Sequence, residues 1–251
     1  MIKTIISSLY KLFKDRAFRI TLIIGVIFAV ISSLINNYTG INSMLYNSSP
    51  IFSFGICIPF NITAFVIGEF NYGTIRNKII AGHRRISIYL SLLLTAIIYT
   101  VIVMTAYLAI ATTICMIKNG FGGSGITPKI VFAVIIYCLA IFVALSAISV
   151  FVSSVVRHTG LSNTILMALE ILGGFIFALS FIFEYEGGEV PLYLVGLNPL
   201  FLSTDIIFEA GIFNNFDVIK TYIIPSILGA LGYTLFFSVC GIFAFYNRDV
   251  K

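Results

Sequence analysis

Long apolar runs separated by short polar stretches set the rhythm of the chain. The runs near 17–36, 51–69, 87–116, 130–153, 162–183 and 219–246 each reach the roughly 20 residues that a helix needs to cross the hydrocarbon core of a bilayer. The pattern predicts an all-α integral membrane protein with six transmembrane helices, forming a single transmembrane domain over 1–251. Ahead of the first span, residues 1–16 (MIKTIISSLYKLFKDR) place Ile2, Ile5, Ile6, Leu9, Leu12 and Phe13 at helical spacing on one face, with Lys3, Ser7, Lys11 and Lys14 on the other. That periodicity predicts an amphipathic helix lying in the membrane interface. A plain anchor oriented by its basic face accounts for it equally well. A basic start followed by an apolar run also fits a signal peptide, but no A-x-A-like site follows Ile35, so the first span is expected to be retained.

Two of the connecting segments are unusual. Residues 184–218 are neither a full span nor a polar loop, because the apolar Leu192, Leu194 and Leu200 are interrupted by Gly196, Asn198 and Pro199; short helices dipping into the outer leaflet fit that pattern. Residues 119–128 (NGFGGSGITP) are rich in glycine but lack the Gly-x-x-x-x-Gly-Lys-Ser/Thr order that cradles phosphate, and read as a turn. Pro59 and Pro225 each fall within a span, where they remove a helix hydrogen bond and are expected to kink or loosen the helix.

Composition agrees with the pattern: 59% of residues are hydrophobic, 10% are charged and the mean hydropathy is +1.08. The net charge of +5 reads as a topology signal. With the N-terminus inside, every Lys and Arg falls in an inner segment except Lys118, Lys129 and Lys220, which places both termini in the cytoplasm. Because the basic residues are spread over several membrane-flanking segments, they do not point to nucleic acid.

Site chemistry is sparse. Cys57, Cys115, Cys138 and Cys240 lie within or at the ends of spans with no C-x-x-C spacing, and read as small apolar packing residues. The chain carries no His-Glu-x-x-His and no Gly-x-Ser-x-Gly; His83 and His158 sit in inner loops, and Ser8-Leu9-Tyr10-Lys11 matches Ser-x-x-Lys by chance. The expectation is a chain without a catalytic site, a metal or a bound cofactor.

The most informative stretch is 69–89, EFNYGTIRNKIIAGHRRISIY, a basic insert between two apolar runs. Thr74 is expected to cap a helix of about two turns, Ile75, Ile79 and Ile80 to form its apolar face, and Gly82 to end it. Arg76, Lys78, Arg84 and Arg85 are then expected to face cytosol or lipid phosphates. An acid at the position of Glu69, where a span meets the cytosol, is costly unless paired, so it is expected to bond a basic residue or backbone amides of 1–16 or of the insert.

The order Glu69-Phe70-x-x-Gly73-Thr74-Ile75-Arg76-Asn77-Lys78, followed by Gly82, Arg85 and Tyr89, resembles the segment between the second and third spans of type-2 ABC exporter permeases. Six spans, the amphipathic helix and "LNPL" at 197–200 extend the resemblance over essentially the whole chain. It implies that 70–86 is a cytoplasmic coupling helix region resting on a separate ATPase subunit, which holds ATP and Mg. It also implies that 1–16 is a connecting helix, that the loop around Arg157 is a second cytoplasmic contact, and that the chain pairs with a second permease chain, identical or related. The implied coupling residues are Glu69, Gly73, Thr74, Ile75, Arg76, Lys78, Arg84, Arg85 and Arg157. Orientation by anionic lipid is the competing account of the basic ones.

Glu170 stands near the middle of the fifth span, where an ionised group costs about 2.5–3.5 kcal/mol on insertion scales. Asn163, Met167, Glu170 and Gly174 share one helical stripe, and Asn61 and Thr63 of the second span are expected to line the same path. Glu170 reads either as a pathway acid meeting a cationic or amphipathic substrate or as a hydrogen-bonded packing residue. The function expected is the permease subunit of an ATP-driven exporter of amphipathic peptides or lipophilic drugs in a bacterial plasma membrane. The alternative is an ion-coupled transporter or channel using Glu170.

Overall fold

The computed structural model describes residues 2–35, 57–119, 128–156, 158–169, 171 and 216–247. The described residues form eight helices and no strand. In chain order these are α1 (Ile2–Lys14), α2 (Arg16–Ile35), α3 (Cys57–Asn71), α4 (Thr74–Ile80), α5 (Arg85–Asn119), α6 (Pro128–Val155), α7 (Thr159–Leu169) and α8 (Phe216–Asn247). Three of them contain a stretch long and apolar enough to cross a membrane: Arg85–Ala111 in α5, Cys138–Val155 in α6 and Ile227–Asn247 in α8. The expected outer segment 184–218 lies outside the described residues except for its last three, which open α8. The glycine-rich 119–128 is likewise outside them apart from Asn119 and Pro128.

α6 is the central helix: 72% of its apolar stretch is buried, against 11% for α8, which lies at the periphery. α8 and α3 pack on α6, α2 packs on α5, and α1 lies across α5. The sequence of α6 explains its position. Ser146, Ser149, Ser153 and Ser154 are all buried, and their small side chains let neighbouring backbones come close. Each hydroxyl donates to a carbonyl three or four residues back in its own helix, Ser146 to Val143 and Ser149 to Leu145 at 2.7 Å, so burial leaves no unmet polar group there. α5 has 35 residues and so extends for about 52 Å, well past the ~30 Å apolar core of a bilayer.

The break between α1 and α2 is made by Asp15. Its N–H bonds the Leu12 carbonyl at 3.0 Å, while its Oδ1 accepts the Ala17 N–H at 3.2 Å and caps α2. α1 has three sides rather than the two expected. Ser8 and Leu12 are buried against the protein, Ile6, Tyr10 and Phe13 are exposed, and Lys14 sits over the Tyr10 ring. The apolar arc is therefore divided between a protein seam and an outward face; in α2, Ile20, Ile23 and Ile27 are exposed as well.

Candidate functional site

The end of α3, the whole of α4 and the middle of α1 converge on one carboxylate. Glu69, in the last turn of α3, is 5% exposed; its Oε1 accepts from Lys11 Nζ at 2.9 Å and its Oε2 from Lys78 Nζ at 3.0 Å. Lys78 also donates to Ser8 Oγ at 3.0 Å, and Lys11 to Thr74 Oγ1 at 3.1 Å. One acid thus binds two ammonium groups from two other helices, leaving a net positive charge at the junction. Charge-assisted bonds of this kind are the strong ones, and a carboxylate this buried requires them. The pairing expected of Glu69 is observed, with both flanking helices supplying a partner.

α4 is held at both ends by glycine. Gly73 adopts φ +66°, a left-handed conformation that costs other residues a β-carbon clash, and its carbonyl accepts the Asn77 N–H at 3.0 Å. At the other end Gly82 has φ +84°; its N–H bonds Ile79 O at 2.9 Å and the His83 N–H bonds Lys78 O at 3.1 Å, the paired pattern of a Schellman cap. Gly82 therefore ends the helix as expected. Thr74 begins it but does not cap it: Gly73 occupies the N-cap without a side-chain bond, and the Thr74 hydroxyl instead accepts from Lys11. A chain reversal this tight needs a left-handed residue, and only glycine supplies one cheaply.

Three further expectations for this stretch are corrected. Lys78 does not face cytosol or lipid phosphate, because at 9% exposure it is turned inward to Glu69. Arg85 is half-buried and donates through Nη1 to the Tyr246 carbonyl at 2.7 Å. Ile80 is 74% exposed, while Ile75 is fully buried and Ile79 packs against the core. What α4 turns outward is Arg76 and Ile80, four residues apart on one face, with exposed Asn77 beside them and exposed Tyr72 and Arg84 in the turns before and after the helix. Arg157 lies outside the described residues.

The residues expected along a pathway separate. Thr63 Oγ1 is 2.6 Å from Asn163 Oδ1, joining α3 to α7. Asn61, two positions away and so on the opposite side of α3, donates to Thr21 Oγ1 of α2 at 2.6 Å and to the Cys57 carbonyl at 2.8 Å. Asn61 borders a small, partly open pocket of about 10 Å³ between α1, α2, α3 and α5, together with Asp15, Phe18 and Tyr99. The Tyr99 hydroxyl is buried there beside Thr21 and Asn61. Met167 is 49% exposed on α7, while Glu170 and Gly174 lie outside the described residues.

Sequence reasoning missed Lys11 and Ser8 as members of the Glu69 junction. Their pairing is set by how α1 crosses α5, which no local pattern records. Among the described residues no cluster of His, Cys, Asp or Glu is arranged to hold a metal, and Cys57, Cys138 and Cys240 form no disulfide. Among the described residues, the fold and the junction define a helical arrangement with three helices long and apolar enough to cross a membrane and a braced, basic turn between α3 and α5. No model of a known protein family and no curated protein matches the chain.

Proposed function

We propose that the chain is the membrane-spanning subunit of an ATP-driven exporter of the type-2 ABC kind. In this reading six helices span a bacterial plasma membrane with both termini in the cytoplasm. α4 is the coupling helix and α1 the connecting helix. The chain pairs with a second permease chain, and ATP and Mg are held by a separate ATPase subunit beneath it. The observation that carries the reading is the Glu69 junction: two lysines from different helices lock α4 to α1 and α3 while its outer residues, Arg76 and Ile80, stay exposed. A short helix fastened in this way passes displacement to the membrane helices where a slack loop would absorb it. The resemblance of 69–89 to the coupling segment of such permeases supports the same reading.

ATP binding would draw the ATPase subunits together, carry α4 with them and open a path outward between paired chains. The abundance of Phe and Tyr, 24 and 13 residues, suits an amphipathic peptide or lipophilic drug, since apolar contact needs few dedicated polar groups. The test is to purify the tagged chain, expressed from its native operon, in mild detergent and identify its companions by mass spectrometry. A nucleotide-binding ATPase that co-purifies with the wild type and is lost on Arg76→Glu/Arg84→Glu supports the proposal. A clean chain with no ATPase overturns it and moves the reading to ion-coupled transport through Glu170.

A further inference from the structure

A second junction joins the inner end of α8 to the same region from the opposite side. Arg85 and Tyr89 occupy one face at the start of α5, and Gly241 and Phe245 occupy one face at the end of α8, each pair four residues apart. The Arg85 guanidinium bonds the carbonyl of Tyr246, one of the last carbonyls of α8, which the helix itself leaves without a partner. The Phe245 ring is 1% exposed and lies between Phe70 at the end of α3, 5.8 Å away between centroids, and Tyr89, 5.9 Å away. Tyr89 is fully buried and its hydroxyl lies against Gly241; a β-carbon placed at 241 would overlap the Tyr89 oxygen. The two helices therefore meet ring against backbone, closer than any other residue at 241 permits.

We infer that Arg85 is a positioning residue which clamps the inner end of α8 to the start of α5, with Tyr89 and Gly241 as the fitted surface beneath it, so that α4 and the end of α8 move as one body. Arg85 then acts inside the protein rather than at a docking surface. A displacement of α4 reaches the membrane by two routes, through Glu69 into α3 and α1 and through Arg85 into α8. The mechanical part stands on the geometry alone; the role in transmission rests on the exporter reading.

The experiment is hydrogen exchange with mass-spectrometric readout on the purified full-length chain in lipid nanodiscs, without any partner. Arg85→Gln is expected to speed exchange of the 242–247 amides by about tenfold. Arg85→Lys, which unlike Gln keeps the charge and enough length to reach the carbonyl, is expected to restore part of the protection, and Arg76→Ala to change nothing there. Gly241→Ala is expected to expose the same segment, and Tyr89→Leu in the Gly241→Ala background to rescue it by making room for the added methyl. Exchange of 242–247 that stays within about twofold of wild type in Arg85→Gln overturns the clamp, as does a well-protected Gly241→Ala. If an ATPase co-purifies with the wild type, Arg85→Gln is expected to keep it. Its loss in that variant would overturn the inference by returning Arg85 to the docking surface, whereas an absent ATPase would sink the exporter reading and leave the clamp decided by exchange alone.

Discussion

Glu69 carries more of the structure than its single charge suggests, because its two partners are not equivalent. Lys78 has 10% of its side chain exposed and Lys11 43%. Glu69→Ala would leave Lys78 buried without a counter-charge, and thermal unfolding in detergent is expected to register a loss of about 3–5 kcal/mol. Lys11→Met is expected to cost only about 0–1 kcal/mol, with the difference from wild type shrinking as salt is raised. Lys78→Met is expected to cost more than Lys11→Met and to respond little to salt; equal losses in the two variants would contradict the asymmetry.

At the scale of elements, α4 shows how a seven-residue helix, too short to persist alone, is kept in place. Its ends are set by Gly73 and Gly82, and its inner face by Ile75 and Lys78. Replacing Gly82 or Gly73 by Ala forces a left-handed backbone on a residue with a β-carbon, at about 1–2 kcal/mol each. Exchange of the α4 amides is expected to rise in both variants, while exchange in the middle of α6 stays at the wild-type level. The start of α4 also shows the limit of reading caps from residue type. Thr74 has the preferred chemistry for an N-cap, but the reversal after Asn71 requires a left-handed residue at 73, which moves the cap back by one and frees the Thr74 hydroxyl for Lys11.

Across the whole molecule, the exposed apolar residues form continuous outward faces. The α2 face holds Ile20, Ile23, Ile27 and Ile31, and the α8 face Leu228, Leu235, Val239 and Phe243. In water such faces would drive aggregation; in a bilayer they are the expected contact with lipid tails. The proposed topology puts the two ends of α5 on opposite sides of the membrane, and a single helix of 35 residues is long enough for that. In a background without native cysteines, His83→Cys is expected to react with an impermeant maleimide only after the cells are opened, and Lys118→Cys in intact cells. The reverse pattern, or reaction at both in intact cells, would overturn the topology.

By itself the sequence determined what depends on local chemistry and on solvent. The apolar runs made helices because a buried backbone must bond within its own segment, and α2, α5, α6 and α8 follow the runs read at 17–36, 87–116, 130–153 and 219–246 to within a few residues. Gly82 was legible as a helix end because its lack of a β-carbon acts within one turn, and the need of Glu69 for a partner was legible because an unpaired acid at a span end is costly. Tertiary structure alone decided which partners were used. Arg76 and Lys78, two positions apart, fall on opposite faces of α4 by helical spacing, and packing against α1 and α3 decides that Lys78 is the one turned inward. Asn61 and Thr63, two positions apart, fall on opposite sides of α3 by helical spacing, so one shared path was never open to them; that their partners are Thr21 of α2 and Asn163 of α7 was set by how the helices stack. Arg85 finds a carbonyl 161 positions away, and contacts at that separation depend on how helices are stacked, which the periodicity of a single helix does not encode.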